Sequence, residues 1–349
     1  MGAPSVRDYG SPRKIFAIVV NRNGRRYLNG CLSSLSCQTI SLSGIILVDN
    51  DSSDGSVEYV QEEFASVEVL SMQKNLGFAE GNNVAIRRAI ARGASHIVLV
   101  NNDTIAEPDL IARLIEPTQF ENVGIVGARV LLLSSGAVQE IGMSCDYLGF
   151  PVPIPNAILP RGEYIDAFYV GGCAMAITRQ VVEKVGVFDS DYFMFAEDLD
   201  LCWRARLNGY KVVANPKAVI KHVSGGTIIG GMQKTKRYVT SPQRLFLRER
   251  NTLRTLVKNY AGATLLWVLP LYLIVSFAET VMLAFINPWA SVMRIKAILW
   301  NLRHIRETLT LRREVQDSRL VGDSELLRFM YPGVYRAYFL FRPPRFVNK

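Results

Sequence analysis

Residues 15–20, IFAIVV, are apolar without a break, and shorter apolar runs follow at 45–48, IILV, and 97–100, IVLV. Continuous runs of this length, rich in Ile and Val, suit strands buried on both faces. Helical spacing of apolar positions fills the gaps, over about 25–37, 55–64 and 79–93. Buried strands alternating with helices predict an α/β fold, a mostly parallel sheet with helices on both faces. Each run ends in polar residues: NRNG, DNDSSDGS and NND. Ligands of such sheets bind outside the carboxyl ends of the strands, and all three polar clusters fall at that edge.

The pattern changes after about residue 120. VGIVGARVLL and FYVGGCAMAIT read as strands, separated by the Pro-rich GFPVPIPNAILPRG (149–162). VVEKVGVF is a short helix, and GYKVVANPKAVIKHV supplies one or two strands ending near His222. The Gly-rich SGGTIIGGMQKTKRYVTSP is a candidate lid. A helix with a Ser-Pro start follows in SPQRLFLRERNTLRTLVKNY. Residues 261–289 carry one charge, Glu279, and are long enough to span a bilayer. Pro270 and Glu279 weaken a simple span, and Arg and Lys interleave with Ile, Leu and Trp over 291–315. That amphipathic pattern favours helices lying in a membrane interface; the plain alternative is a bundle that covers its own apolar face. The expected layout is a loose tail over 1–12, an α/β unit over 13–240 and a helical, basic and apolar region over 241–349.

Charge sharpens this division. The net +9 is not evenly spread: residues 1–230 hold 20 basic and 24 acidic residues, and residues 231–349 hold 20 and 7. A basic, apolar last third suits an anionic membrane surface. No basic patch of a known nucleic-acid module is present, so no nucleic-acid partner is expected. Five cysteines without a C-x-x-C pair argue against a disulfide framework and for a reducing compartment. The opening MGAPSVRDYGSPRK is polar and reads as a tail, not a signal peptide. Neither G-x-G-x-x-G after the first strand nor G-x-x-x-x-G-K-[ST] is found, which disfavours dinucleotide and P-loop enzymes.

Four clusters carry candidate chemistry. In VDNDSSDGS (48–56) a strand ends in Asp49 and Asn50, a carboxylate and an amide suited to a base or ribose edge, while Ser53 and Asp54 make a turn and cap. In NNDT (101–104) Asp103 could hold a divalent cation through oxygen, though Asn and Asp are also ordinary turn residues. In NLGFAEGNN the glycines permit close approach before a helix whose N-terminus favours a phosphate. His222, at a strand end, could complete a mixed N/O site for Mg²⁺ or Mn²⁺ with Asp103. A fifth stretch, FMFAEDLDLCWRARLNGY, crowds Glu197, Asp198 and Asp200 between aromatic and apolar residues.

Together AIVVNRNG, ILVDNDSSDGS, NLGFAEGNN, VNNDT, YVGGCAMAITR and FMFAEDLDLCWRARLNGY stand in the order and spacing of the inverting glycosyltransferase family 2. The resemblance covers about residues 13–225, six ordered motifs in all. VNND, FAEDLDLCWR and HVSGGT look most like the bacterial rhamnosyltransferases of cell-wall or O-antigen assembly. The family implies a GT-A-type nucleotide-diphospho-sugar fold, a divalent metal, a nucleotide-sugar donor (here dTDP-rhamnose) and a polyprenyl-linked glycan acceptor at the cytoplasmic face of the membrane. It implies that Asn21, Arg22, Asp49, Asn50, Asn75, Gly77 and Asn82 line the nucleotide pocket. Asn102 and Asp103 replace the family's Asp-x-Asp, which leaves Asp103 as the main metal carboxylate. Gly171 and Gly172 would let the acceptor approach, and Asp198 would be the base, helped by Glu197. In RERN (248–251), Arg250 would approach the diphosphate. Asp200 is expected to cap the helix or pair with Arg204. Neither the donor base nor the oligomeric state is written in these motifs. Two other readings stay open: a polyprenyl-phosphate sugar transferase using a UDP- or GDP-sugar, and a non-catalytic protein that binds nucleotide sugars or glycans.

Overall fold

The computed structural model describes residues 13–154, 164–223, 231–232 and 238–346. The expected tail over 1–12 and most of the candidate lid lie outside the described residues.

The apolar runs are central strands. In chain order come β1 (Ile15–Asn21), α1 (Arg25–Ser36), β2 (Gly44–Asp49), α2 (Ser56–Glu63), β3 (Val67–Ser71), α3 (Gly77–Ala91), β4 (His96–Asn101), β5 (Thr104–Ala106), α4 (Leu110–Ile115), β6 (Val123–Leu132) and β7 (Val138–Glu140). A two-strand ribbon, β8 (Met143–Cys145) and β9 (Pro151–Pro153), is followed by β10 (Ile165–Asp166), β11 (Ala174–Thr178), α5 (Arg179–Val185), α6 (Glu197–Leu207) and β12 (Lys211–His222). The sheet runs β10-β12-β6-β11-β4-β1-β2-β3, with β5 on β12 and β7 on β6. β1, β2, β3 and β4 are parallel, and so are β6 and β12; β11 lies antiparallel between β4 and β6. Two reversals restore direction, so the parallel strands end at one edge and β11 begins there.

Each face of the sheet carries its own apolar core. On one side Phe16, Ile18, Ile46, Ile97 and Leu99 pack with Trp203 and Tyr260; on the other Ala17, Val19, Leu47, Val98 and Val100 pack with Leu28 and Leu32. Alternate residues of one strand therefore serve opposite faces, which is why these runs are apolar throughout. β3, with Glu68 and three part-exposed neighbours, is an edge strand. It lacks the continuous apolar signal and was not expected from the sequence.

Four long helices follow, α7 (Pro242–Asn259), α8 (Gly262–Ile286), α9 (Pro288–Arg303) and α10 (Ile305–Ser318), and then two single-turn helices, Asp323–Leu326 and Tyr338–Phe341. Ser241 caps α7, its hydroxyl accepting from the Arg244 amide, with Pro242 in the first turn as expected. The apolar stretch 261–289 is mostly α8, long and apolar enough to cross a membrane by length and composition. α8 buries one stripe: Thr264, Val268, Tyr272, Val275, Ser276, Glu279 and Leu283. Val268, Tyr272 and Val275 join the same core as Trp203 and Tyr260. Its other side exposes Leu266, Ile274, Phe277 and Phe285 at 66–87%.

Candidate active site

The strand tips open on a cavity of about 580 Å³. Its lining brings together Arg22, Asn50, Asn75, Gly77, Asn102, Asp103, Gly171, Gly172, Glu197, Asp198 and His222. Residues expected from seven separate stretches thus face one space. Asn21, Asp49, Asn82 and Arg250 do not line it.

Those four have structural work instead. Asn21 donates to Asp49 Oδ1 (3.1 Å) and accepts from Asn102 (2.7 Å), and the Ser52 amide donates to Asp49 Oδ2 (2.9 Å). This buried ladder ties the tips of β1 and β2 to the residue after β4. It also turns the Asn102 amide toward β1, leaving Asp103 as the carboxylate of that cluster. Asn82 donates back to the Phe78 carbonyl within α3 (2.8 Å). The α3 N-terminus is not open to a phosphate. The Gly77 amide donates to Asn75 Oδ1, and those of Phe78 and Ala79 both donate to the Phe193 carbonyl. Gly77 is required because a Cβ there would collide with that carbonyl and the Phe193 ring, and its φ is +78°.

Arg250 corrects a second expectation. Its guanidinium lies between the Phe246 and Trp300 rings and donates to the Asp191 and Tyr192 carbonyls (2.6 and 2.8 Å). Asn251 donates to the carbonyls of Tyr192, Met194 and Phe195. These bonds hold a strained turn: Phe193, Phe195 and Ala196 all have positive φ. The turn delivers Glu197 and Asp198 to the cavity at the start of α6. Besides Arg22, Arg244 in the first turn of α7 faces the cavity. It sits over the Phe195 ring (4.8 Å), and its buried Nε has no partner among the described residues. Burial holds its pKa below the ordinary arginine value.

Asp198 accepts from its neighbouring Leu199 amide (2.8 Å) and from the Gly172 amide (3.3 Å). Burial raises its pKa against those bonds. Glu197 is buried, its Oε2 has no hydrogen-bond partner among the described residues, and burial and then the Asp198 charge raise its pKa well above the ordinary value. Asp200 points into the protein, where Arg204, Lys258, Asn259 and the Tyr192 hydroxyl surround it. Burial opposes its charge, but Lys258 and Arg204 outweigh that and its pKa falls. The Arg204 pair was expected. The raised pKa of Asp198 comes chiefly from burial.

Gly171 and Gly172 line the cavity where the acceptor was expected, and each has a neighbour that leaves no room for a side chain. A Cβ on Gly171 would lie 2.7 Å from Glu140 Oε1, and one on Gly172 2.9 Å from the Phe78 ring. Glu140 is a cavity carboxylate that sequence reasoning missed; it accepts from the Gly171 amide (2.7 Å). Burial, opposed by that bond and aided by the Asp198 charge, raises its pKa to about 7.

His222 Nε2 faces Asp103 Oδ1 at 3.1 Å, and His222 Nδ1 lies 3.1 Å from Gln139 Oε1. An Nδ1–H donated to Gln139 leaves Nε2 facing a carboxylate oxygen, a geometry that calls for a positive charge between them. Burial works against a charge on His222, but the Cys173 sulfur and Asp103 outweigh it, and its pKa is raised to about 10. The pair fits one nitrogen and one oxygen ligand of a divalent cation, with Gln139 orienting the ring. No group of three such side chains converges among the described residues, so further ligands would come from a bound anion or water.

Comparison with known proteins agrees with this arrangement. Residues 12–254 match the pattern described as glycosyltransferase like family 2. An N-acetylglucosaminyl-diphospho-decaprenol L-rhamnosyltransferase of Mycobacterium tuberculosis is 24% identical over 220 residues, covering 56% of this chain and 71% of that protein. An uncharacterized protein of Mycobacterium bovis, Mb1552, is 30% identical over 152 residues, 43% of this chain and 54% of its own. The chain spans about half the length of the first curated relatives it matches. Among solved structures, GalNAc-T7 with UDP, GalNAc and Mn²⁺ superposes with a TM-score of 0.62 at 12% identity, over 95% of this chain and 58% of that one. That likeness shows a GT-A-like fold. With its six motifs around one cavity and a family match over most of its length, this chain belongs to glycosyltransferase family 2.

Proposed function

We propose that this chain is an inverting glycosyltransferase that moves L-rhamnose from dTDP-rhamnose to a hydroxyl of a polyprenyl-diphosphate-linked glycan at the membrane surface. The observation that carries this reading is the common cavity faced by Asp198 and by the Asp103–His222 pair. Arg22, Asn50 and Asn75 line its nucleotide end. Asp103 and His222 would hold Mg²⁺ or Mn²⁺, which when bound supplies positive charge against the diphosphate oxygens. Arg244 adds positive charge to the same cavity. Its Nε, buried over an aromatic ring and without a partner among the described residues, is a donor that a leaving diphosphate can satisfy. Asp198 takes the proton from the acceptor hydroxyl as it attacks the anomeric carbon, a contribution of roughly 10²–10⁴ in rate. The Leu199 and Gly172 amides fix its carboxylate. The rhamnosyl preference is supported by the motif forms and by the mycobacterial relative's name.

The acceptor class is supported by the helical region. The buried stripe of α8 packs along the catalytic core, so a spanning α8 would carry that core into hydrocarbon. Its apolar side continues on α9 and α10 through Trp289, Ile295, Leu299, Leu302 and Leu309, on a segment rich in Lys and Arg. That surface suits a helix pair lying in an anionic interface, at the cytoplasmic face where sugar nucleotides are made.

A thermal-shift screen of dTDP-rhamnose, UDP-hexoses and GDP-mannose, with and without Mn²⁺ or Mg²⁺, tests the donor. A ligand that binds the folded state raises its melting temperature. dTDP-rhamnose should give the largest, metal-dependent shift; a larger shift with a UDP-hexose overturns the sugar assignment. Asp198→Asn should abolish transfer while leaving the donor shift intact. An ionised lipid-phosphate acceptor needs no base, so full transfer by Asp198→Asn would favour the polyprenyl-phosphate reading.

A further inference from the structure

Glu140 is the cavity carboxylate to which the mechanism above gives no task. It ends β7, a three-residue strand that pairs only with β6. Its Oε1 accepts from the Gly171 amide, and the next amide along, that of Gly172, is donated to Asp198. Two successive N–H groups thus seat two carboxylates on one wall of the cavity. The residue before it, Gln139, orients His222. Glu140 therefore stands between the ion-binding pair and the proton acceptor, where the transferred sugar must lie. No Lys or Arg is paired with it, and no hydrogen bond reaches Oε2, among the described residues. A half-buried carboxylate with one amide partner has lone pairs left over, and a sugar hydroxyl is a donor that fills them. Gly171 supports the same reading: any Cβ there would meet both Glu140 oxygens, so glycine is what admits this carboxylate to the wall.

We propose that Glu140 reads the donor sugar, accepting a hydrogen bond from a hydroxyl of the glycosyl group being transferred. The inference rests on the transferase reading and names a contact within it. A merely structural Glu140 would only hold the Gly171 loop, and the test separates the two.

Full-length Glu140→Gln keeps a carbonyl oxygen for the Gly171 amide and removes the charge. Titration calorimetry with Mn²⁺ compares dTDP with dTDP-rhamnose, UDP with UDP-glucose, and GDP with GDP-mannose, using the pair that the native chain binds. The readout is the affinity for the nucleotide sugar relative to its own nucleoside diphosphate. Glu140→Gln should bind the diphosphate as the native chain does and lose roughly ten- to a hundredfold in that ratio, as expected for one charge-assisted hydrogen bond. Asp198→Asn, as a control, should keep the ratio and lose transfer. An unchanged ratio overturns the proposal. So does a parallel loss of diphosphate affinity and melting temperature, which would make Glu140 a support of the loop. A native chain that binds none of the three pairs would bring down the transferase reading itself, whereas binding with an unaltered ratio removes Glu140 alone.

Discussion

The Glu197–Asp198 pair is held in place by residues that never touch the cavity. Three consecutive-turn residues with positive φ, none of them glycine, cost of order 1–3 kcal/mol each in backbone strain. The Asn251 carboxamide offsets this by donating to three carbonyls of the same turn at 2.6–2.9 Å. Asn251→Ala should therefore lower stability by about 2 kcal/mol, the order expected when buried acceptors lose their donor. It should also reduce kcat more than donor affinity, because the turn carries Asp198 but not the nucleotide end. Chemical denaturation with single-turnover kinetics checks both. Equal native-like kcat in a folded Asn251→Ala variant would show that the turn holds itself. Arg250 belongs to the same account: an arginine expected at the diphosphate instead braces the loop, and Arg244, two turns earlier, occupies the cavity wall.

At the scale of elements, α7, α8 and α9 are fastened by a buried ion cluster. Glu279 of α8 accepts from Arg294 of α9 (2.6 Å) and from Arg336 (2.7 Å). Glu249 of α7 accepts from Arg336 (2.6 Å), from Arg294 (3.2 Å) and from the Tyr272 hydroxyl (3.0 Å). Burial works against the charge on Glu249, but Arg294 and Arg336 outweigh it and hold its pKa to about 2. Arg248 stands beside the cluster and interacts with both carboxylates. Glu279→Gln leaves Arg294 and Arg336 short of a buried counter-charge and should destabilise by about 3–5 kcal/mol, read as a lower denaturation midpoint. A change below about 1 kcal/mol would mean that water reaches the cluster and screens it. The lone acid in an otherwise apolar 25-residue helix is thereby explained. It marks the face of α8 that packs on protein, not a flaw in a membrane span.

For the whole molecule, the proposed membrane contact joins the apolar side of α8 to the basic excess of the last third. Sedimentation with phosphatidylglycerol vesicles should show binding that weakens as salt rises, because surface charge attraction is screened within about 8 Å at physiological ionic strength. Phe277→Asp with Phe285→Asp should reduce that binding at least tenfold without lowering the melting temperature, since both side chains are 72% or more exposed. Unchanged vesicle binding by the pair would mean that another surface meets the membrane. The same geometry places the candidate site and the C-terminal helices on one packed framework, with Asp200 of α6 bound to Lys258 of α7. A lipid-linked acceptor held in the interface would meet an active site whose height above it is set by α7.

Local pattern was enough for the strands that are buried on both faces, because a strand between two cores must be apolar at every position. It was also enough for the polar tips, because parallel strands all end at one edge. The polar clusters also offered Asp103, His222, Glu197 and Asp198, to which the family motifs gave roles, and these do line one cavity. What the chain order could not express is which polar groups satisfy one another. Asn21, Asp49 and Asn82 look like ligand-binding residues in sequence and are spent on neighbours in space. Glu140 looks like an exposed strand end, and becomes a cavity group only because β7 folds back on β6 beside Gly171. The strained turn at 193–196 has no glycine to announce it, and its support comes from α7, over 50 residues later. Hydrophobic period is a local property and survives in the sequence; hydrogen-bond partnership and burial of charge arise only when distant segments meet.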